Sequence, residues 1–223
     1  MRSESLDIAE LHWTWLHGDR QFAFVKARDT TDFPWLTARD LPRLVLFAAR
    51  YAASGDPTRS TPTVTDPDGI DFDVRDPALA RRLAEELGGP VWLLRLGRGA
   101  FDAMPVSLVT TTAVEAVGRA HGAPVALARF RSNIVIRPDD PAVTEQDWLG
   151  SSLAFGAGAN PPRLHLDWAI PRCAIVGIDP GSATRDAGLL RTLVRRFGNA
   201  FGCYAAIQAP GQVRIGDRVR LVR

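Results

Sequence analysis

The sequence predicts a mainly β protein with peripheral helices (α+β), built around a β-barrel. Its 223 residues include 19 glycines and 16 prolines, which divide the chain into short apolar runs, as is typical of strand-rich proteins. Residues 21–26 (QFAFVK) alternate polar and apolar side chains, the pattern of a half-buried strand. Closely spaced antiparallel strands with helices around them favour a barrel over a parallel sheet.

The N-terminal part is predicted to contain strands and one helix. After the strand at 21–26, residues 64–74 place Asp-Pro-Asp-Gly between β-prone residues, which predicts a hairpin. Residues 77–87 show helical spacing of leucines, follow Asp76 as a predicted N-cap and stop at two glycines. The run VWLLRL at residues 91–96 then predicts another strand.

Two glycines around Arg98 mark a predicted boundary, which divides the chain into residues 1–96 and 97–223. Beyond this boundary, residues 110–121 predict a helix with a threonine N-cap, and residues 189–197 predict an amphipathic helix with its basic side chains outside. The remaining apolar runs are predicted strands, at residues 129–136, 152–155, 163–170, 174–178, 204–208, 212–215 and 218–222.

Composition and charge exclude several classes of function. The chain has 27 basic and 25 acidic residues, a net charge of +2, and no basic stripe interleaved with aromatics, so we expect no nucleic-acid partner. No apolar run approaches the ~20 residues of a membrane span, so we expect no membrane partner. Two cysteines are too few for a disulfide scaffold, and the expectation is a cytoplasmic protein with reduced thiols.

The histidines are predicted to be ordinary surface or boundary residues. They are scattered along the chain, and none forms the paired spacing that a zinc site needs. The four are His12, His17, His121 and His165.

Cys173 is the candidate reactive residue. It lies between two apolar runs, directly after Arg172, and Pro171 is expected to break the strand and expose the thiol. A neighbouring guanidinium favours the thiolate, the form that attacks or binds metal. The alternative is a buried cysteine that acts as a small hydrophobic residue, which is also the interpretation for Cys203.

Several short blocks occur in an order that points to one family, with Phe-Arg-x-Asn and Arg-Cys followed by Asp-Pro the most specific. The blocks are Gly18-Asp19-Arg20, Leu36-Thr37-Ala38-Arg39 with Leu41-Pro42, Phe101-Asp102-Ala103-Met104-Pro105-Val106, residues 129–136 (RFRSNIVI), Asp147-Trp148, Pro171-Arg172-Cys173 with Ile178-Asp179-Pro180, and Pro210-Gly211 with Gly216-Asp217-Arg218-Val219. Together they resemble MOSC-domain proteins, of the branch that includes the mitochondrial amidoxime-reducing component and its bacterial relatives.

The resemblance implies a MOSC-type β-barrel in residues 97–223 that holds the molybdenum cofactor, a pterin dithiolene with a terminal phosphate. The single cysteine that ligates molybdenum in that family matches Cys173, and a soft thiolate suits a soft-ligand metal site. Arg20 and Arg131 match the residues that hold the phosphate, for which the planar fork of arginine is well suited. The alternative for both arginines is a salt bridge on a strand face.

Four further residues are implied to contact the cofactor. Asn133 offers amide donors and acceptors, Asp102 accepts N–H bonds from the pterin, and Ala103 lets the backbone approach. Arg172 lies beside the ligand in this interpretation, or else points to solvent.

The sequence departs from the family pattern in three places. Ser132 stands where the family usually has proline, and Gln146 replaces an acid. The family also opens with a strand carrying Tyr-Pro-Val-Lys-Ser, whose lysine helps to hold the cofactor, whereas this chain reaches Glu4-Ser5-Leu6 almost at once. We expect that this first strand is lost or that the start codon is misassigned.

The resemblance implies an oxidoreductase that reduces N-hydroxylated small molecules at the metal. The cofactor carries the redox chemistry, and a separate flavin or iron–sulfur protein donates the electrons, because no cysteine-rich ferredoxin segment follows the last strand. Two alternatives stay open: a binding module that carries the cofactor or its sulfur to another enzyme, and a degenerate domain that binds neither.

Overall fold

The computed structural model describes residues 1–2, 4–27, 29–52, 59–97, 99 and 102–222. Arg98 and Phe101, which belong to the predicted boundary and to one motif block, lie outside the described residues. The α-helices are α1 (Pro77–Leu87), α2 (Thr111–His121) and α3 (Ala187–Phe197). The 3-10 helices span Pro42–Leu46, Leu127–Phe130, Glu145–Trp148 and Ala174–Gly177. The strands are β1 (Ile8–His12), β2 (Trp15–Leu16), β3 (Phe22–Lys26), β4 (Ala48–Arg50), β5 (Thr63–Thr65), β6 (Asp71–Asp73), β7 (Val91–Arg95), β8 (Val106–Thr110), β9 (Ile134–Ile136), β10 (Ser152–Phe155), β11 (Arg163–Pro171), β12 (Ala200–Ala209), β13 (Gly211–Arg214) and β14 (Val219–Val222).

The chain divides into two units whose segments alternate along the sequence. The first unit comprises Met1–Ser5, Gly18–Ala100 and Ile178–Thr184, and the second comprises Leu6–His17, Phe101–Gly177 and Arg185–Arg223. The division at residue 97 stays a prediction.

The first unit contains two small sheets and α1. Strand β3 pairs with β7, and β4, β5 and β6 form an antiparallel sheet in which β5–β6 is the predicted hairpin. Asp76 caps α1 by accepting a hydrogen bond from the backbone N–H of Ala78, and Gly88 ends the helix in the left-handed conformation. Leu79 and Leu83 lie on one face of this helix and are fully buried in the core of the unit, since residues four apart share a helix face.

The second unit is built on a curled six-stranded sheet with the strand order β14-β10-β11-β12-β8-β9. Its neighbouring strands are antiparallel except for β8 and β9, which are parallel. A three-stranded sheet, β13-β1-β2, contributes Leu11 to the same apolar core as Leu108 and Leu153. The structure therefore confirms the mainly β fold with peripheral helices.

Helices α2 and α3 cover one side of this unit through a second core. Thr110 and Asp186 cap their N-termini by accepting backbone N–H bonds, and Val117 and Leu193 are fully buried between them. His121 Nε2 lies 2.8 Å from Asp186 Oδ2, which ties the end of α2 to the start of α3.

One predicted strand is wrong and another is shorter than predicted. Residues 174–178 are β-prone, but Ala174–Gly177 form a 3-10 helix, because Val176 is buried in the core of α2 and α3 rather than paired in a sheet. Within residues 129–136 only Ile134–Ile136 is a strand. Phe130 ends a 3-10 helix and is buried in the same core, so tertiary packing overrides local strand propensity at both places.

A buried carboxylate joins strands of the six-stranded sheet behind the second core. Glu145 is fully buried and accepts hydrogen bonds from the backbone N–H and hydroxyl of Thr110, at 2.9 and 2.7 Å. Its other oxygen accepts from the backbone N–H of Gly202 at 2.8 Å. One side chain thus connects the end of β8 to the third residue of β12.

Replacement of Glu145 by glutamine is expected to lower the free energy of unfolding by about 2–3 kcal/mol. The NH2 group of glutamine would face a backbone N–H that now donates to a carboxylate oxygen, so both donors would lack an acceptor. Urea unfolding measures the change. Glu115→Gln on the exposed face of α2 is the matched control and is expected to stay within about 0.5 kcal/mol. Equal unfolding midpoints for the two variants would contradict the role given to Glu145.

Candidate functional site

The thiol of Cys173 is exposed at the point where β11 ends. Pro171 is the last residue of that strand, paired with Ala200 of β12, and proline lacks the N–H that would continue the ladder. The 3-10 helix Ala174–Gly177 begins immediately after Cys173, whose carbonyl accepts a hydrogen bond from the N–H of Val176 at 3.2 Å. Cys173 therefore occupies a turn with its sulfur accessible.

Cys203 has a different environment. It lies on β12 opposite Leu108 and is fully buried in the apolar core. Burial raises the pKa of its thiol to about 12, because a thiolate is poorly solvated there. Cys203 is therefore a protonated core residue, as its sequence context predicts.

Arg172 points into the protein, not toward solvent. Its Nε donates to the carbonyl of Phe201 at 2.7 Å, and its Nη1 donates to the carbonyl of Phe130 at 2.9 Å. The guanidinium carbon lies 5.5 Å from the ring centre of Phe130 and 5.9 Å from that of Phe201, within cation–π range. Burial lowers the pKa of Arg172 to about 10, so the group remains a cation at neutral pH.

Gly202 makes room for this guanidinium. A Cβ at this position would lie 2.5 Å from Arg172 Nη2 and 2.9 Å from the carbonyl oxygen of Leu108, and the backbone φ is +72°. Glycine is the residue that tolerates both the close contact and the left-handed backbone. The Glu145 carboxylate holds the N–H of Gly202 and the Gln146 amide donates to its carbonyl at 3.1 Å, which fixes the backbone beneath Arg172.

The segments that carry Arg131 and Cys173 are bonded side by side. Arg172 binds the carbonyl of Phe130, the residue before Arg131. Arg129 Nη1 donates to the carbonyl of Val176 at 3.3 Å, three residues after Cys173. Both Arg131 and Cys173 are exposed, so two cross-links hold a soft sulfur and a cation in adjacent surface turns.

Asn133 anchors the start of β9 to β8. Its Oδ1 accepts from the N–H and the hydroxyl of Ser107, at 3.0 and 2.8 Å, and its own backbone N–H donates to the Ser107 carbonyl at 2.9 Å. Asp102 and Ala103 are exposed and lie a few residues before Ser107, just ahead of β8. All three residues belong to the same unit as Cys173 and Arg131.

Arg20 belongs to the first unit, where its Nη1 lies 3.2 Å from Asp19 Oδ2. It shares an unusual backbone with Arg131: φ is 50° at Arg20 and 53° at Arg131. Among the described non-glycine residues, the others with positive φ are Ala183 and Asn199. Strained backbone of this kind clusters at ligand sites, and the sequence alone does not reveal it.

Comparison with known proteins identifies the family. The MOSC domain family model matches residues 94–220, more than half of the chain, and the protein therefore belongs to the MOSC-domain family. MOSC domains are associated with binding of the molybdenum cofactor, and the family supports a function associated with that cofactor.

Among curated proteins, the chain is similar to mitochondrial amidoxime-reducing component 1 of Xenopus laevis, with 34% identity over 131 residues. The match covers 53% of this chain and 36% of that protein, so the chain spans about a third of the relative. Among solved structures, the YuaD protein of Bacillus subtilis has 12% identity and a TM-score of 0.45, covering 98% of this chain and 86% of its own. YiiM from Geobacillus stearothermophilus has 16% identity and a TM-score of 0.41, covering 53% and 54% of the two chains.

In the part of the chain that the structure describes, no α-helix combines the length and apolar character needed to cross a bilayer.

The two thiols are expected to differ in reactivity. In the folded protein at pH 8, a chromogenic disulfide reagent should modify Cys173 alone, because Cys203 is buried and protonated. After unfolding in guanidinium, the reagent should modify both thiols. Cys173→Ser should abolish the fast native reaction, whereas Cys203→Ala should leave it. A fast native reaction that persists in Cys173→Ser would contradict the assignment.

Arg172→Met is expected to lower the free energy of unfolding by about 2–4 kcal/mol, because two buried carbonyls lose charged donors. The same variant should change the modification rate of Cys173 several-fold, because the adjacent turn loses its anchor. Arg119→Met, on the exposed surface of α2, is the control for both measurements. A variant with normal stability and an unchanged Cys173 rate would rule out a positioning role for Arg172.

Proposed function

We propose that this protein binds the molybdenum cofactor with Cys173 as the metal ligand and reduces N-hydroxylated small molecules. The observation that supports this most strongly is the exposed Cys173 thiol, held next to the Arg131 turn by partly buried hydrogen bonds in a MOSC domain. The similarity to an amidoxime-reducing component favours the reductase class.

The donor set of this chain fits the cofactor. A thiolate is a soft ligand that suits a metal already held by sulfur, and Cys173 presents its sulfur at the surface, where a large group has access. A terminal phosphate needs a fixed cation, and Arg131 supplies a planar fork on a constrained backbone. Arg20 has the same backbone conformation and the matching motif but belongs to the other unit of the chain, so its role at the phosphate stays a prediction from the resemblance.

Arg172 has a different role from the one that the resemblance implies. Its guanidinium is engaged by the carbonyls of Phe130 and Phe201 and packs on both rings. It is therefore proposed as a positioning residue, which orients Cys173 and Arg131 without contact to the cofactor.

The remaining contacts are proposed on the edge formed by β8 and β9. The Asn133 Oδ1 accepts hydrogen bonds from Ser107, which fixes the side chain at this edge, and Asn133 is proposed as a contact to the cofactor. Asp102 accepts N–H bonds from the pterin in this proposal, and the small Ala103 allows the backbone to approach.

When bound, the cofactor supplies the two-electron redox chemistry that breaks an N–O bond. In this proposal the protein's own residues fix the metal through Cys173, neutralise the phosphate through Arg131, and hold the turn through Arg172. Electrons are proposed to come from a separate flavin or iron–sulfur protein, which the similarity to an amidoxime-reducing component supports.

A carrier function is the second candidate, and the exposure of Cys173 favours it as well. In that case the protein passes the cofactor or its sulfur to another enzyme and turns over no substrate. Two results together would identify a carrier. The protein would transfer molybdenum cofactor to an apo-enzyme, and the same sample would not reduce amidoximes or hydroxylamines with an artificial electron donor.

Molybdenum analysis of the purified protein tests the binding proposal. The wild type is expected to retain molybdenum and pterin, whereas Cys173→Ser should lose most of the metal because the protein's own sulfur ligand is gone. Cys203→Ala, which changes the other thiol, is the matched control and should retain the wild-type metal content.

Equal molybdenum in the wild type and Cys173→Ser would remove Cys173 from the ligand role. A metal-loaded wild type that reduces no N-hydroxylated substrate would contradict the reductase proposal and leave cofactor binding intact, so the two parts fail separately.

A further inference from the structure

We propose that Glu10, His12 and His17 form a second metal site, which binds a zinc-class divalent transition metal ion. The site lies on the β1–β2 hairpin and uses none of the residues assigned to the molybdenum cofactor. It rests on three observations: the hairpin register, the distances between the ligand atoms, and the aromatic ring packed beside them.

The hairpin register brings the three side chains to one face. In the antiparallel β1–β2 pair, Leu11 lies opposite Leu16 and His12 opposite Trp15. The backbone N–H of His17 donates to the carbonyl of Glu10 at 2.8 Å, which extends the register by one pair. Glu10 and His12 are two residues apart in β1 and therefore share a face, while Leu11 between them is buried in the core on the opposite face.

The distances between the polar atoms match a tetrahedral metal site. His12 Nε2 lies 3.1 Å from His17 Nδ1, His17 Nδ1 lies 3.5 Å from Glu10 Oε2, and His12 Nε2 lies 4.0 Å from Glu10 Oε1. Nitrogen and oxygen ligands at 2.0–2.2 Å from zinc are separated from one another by roughly 3.4 Å. One ligand atom from each of the three residues lies within 4.8 Å of the other two, so small side-chain movements complete the site.

The chemistry of the ligands selects the metal. Two imidazoles and one carboxylate suit zinc, cobalt, nickel or copper(II), whereas magnesium and calcium prefer all-oxygen sites. Three protein ligands leave a fourth position for water or another ligand, as in catalytic zinc sites. One negative charge from Glu10 offsets part of the charge of the cation.

The surroundings allow entry from solvent and restrict the ligands. The side chains of Glu10 and His12 are 49% and 42% exposed, whereas that of His17 is 17% exposed. Solvent therefore reaches the site on the side of Glu10 and His12, and His17 forms its more buried side. Trp15 lies on the same face, with its ring centre 5.7 Å from that of His12 and 5.4 Å from that of His17. This ring packs against both imidazoles and limits their rotation.

Zinc titration of the metal-free, untagged 223-residue protein tests the proposal. The titration is carried out in the Cys173→Ser background, so that the thiol of the other site cannot bind zinc. We expect one tight equivalent of Zn²⁺ and, with Co²⁺ as the probe, visible absorption of tetrahedral intensity. The double variant His12→Gln/His17→Gln should weaken binding by about 100-fold or more, since even the loss of outer partners of a metal ligand weakens binding 10–100-fold. His165→Gln, a histidine outside the cluster, is the matched control.

Thermal unfolding supplies a second measurement that separates binding from folding. A ligand that binds only the folded state stabilises it. Zn²⁺ should therefore raise the unfolding midpoint of the parent protein, Cys173→Ser, and of its His165→Gln variant, but not that of the double variant. The midpoints without metal should agree among the three proteins. Tight zinc binding that persists in the double variant, or a parent that binds no zinc, would overturn the proposal.

Discussion

The buried guanidinium of Arg172 is the interaction on which the candidate site depends. It joins the carbonyl of Phe201 in β12 to the carbonyl of Phe130 at the end of a 3-10 helix, and packs against both aromatic rings. Cys173 directly follows Arg172, and Arg131 directly follows Phe130. Because both residues are next to an anchored backbone, their side chains are presented at the surface from turns that would otherwise be free to move.

A buried cation is expensive to desolvate, and Nη2 of Arg172 has no hydrogen-bond partner among the described residues. Two carbonyls, two aromatic rings and the nearby charge of Glu145 favour the cation. Gly202 leaves the space that Nη2 occupies, and Glu145 holds the N–H of Gly202 while it also binds Thr110. The carboxylate lies behind the guanidinium without a direct ion pair between them among the described contacts. Hydrogen bonds therefore connect β8, β12 and the turn that carries Cys173. A change that weakens the sheet at Glu145 or Gly202 is expected to alter the position of Cys173 as well.

The sequence predicts those parts of the fold that local signals determine. Helix α1 follows the capping aspartate and ends at glycine as predicted, and the hairpin of β5 and β6 forms around its Asp-Pro-Asp-Gly turn. The segments around Phe130 and Val176 differ from the prediction because each buries one apolar residue against α2 and α3, a contact that no local pattern encodes. The direction of the Arg172 side chain and the proximity of His12 to His17 were not predictable either. The first depends on a space left by a distant glycine, and the second on a strand register.

The sulfur of Cys173 is proposed to bind molybdenum, and X-ray absorption at the molybdenum edge measures this bond. The spectrum of the loaded wild-type protein should contain a sulfur neighbour that is missing from the spectrum of Cys173→Ser reconstituted with the same cofactor. Cys203→Ala should give the wild-type spectrum. The same sulfur coordination in the wild type and in Cys173→Ser would contradict the claim.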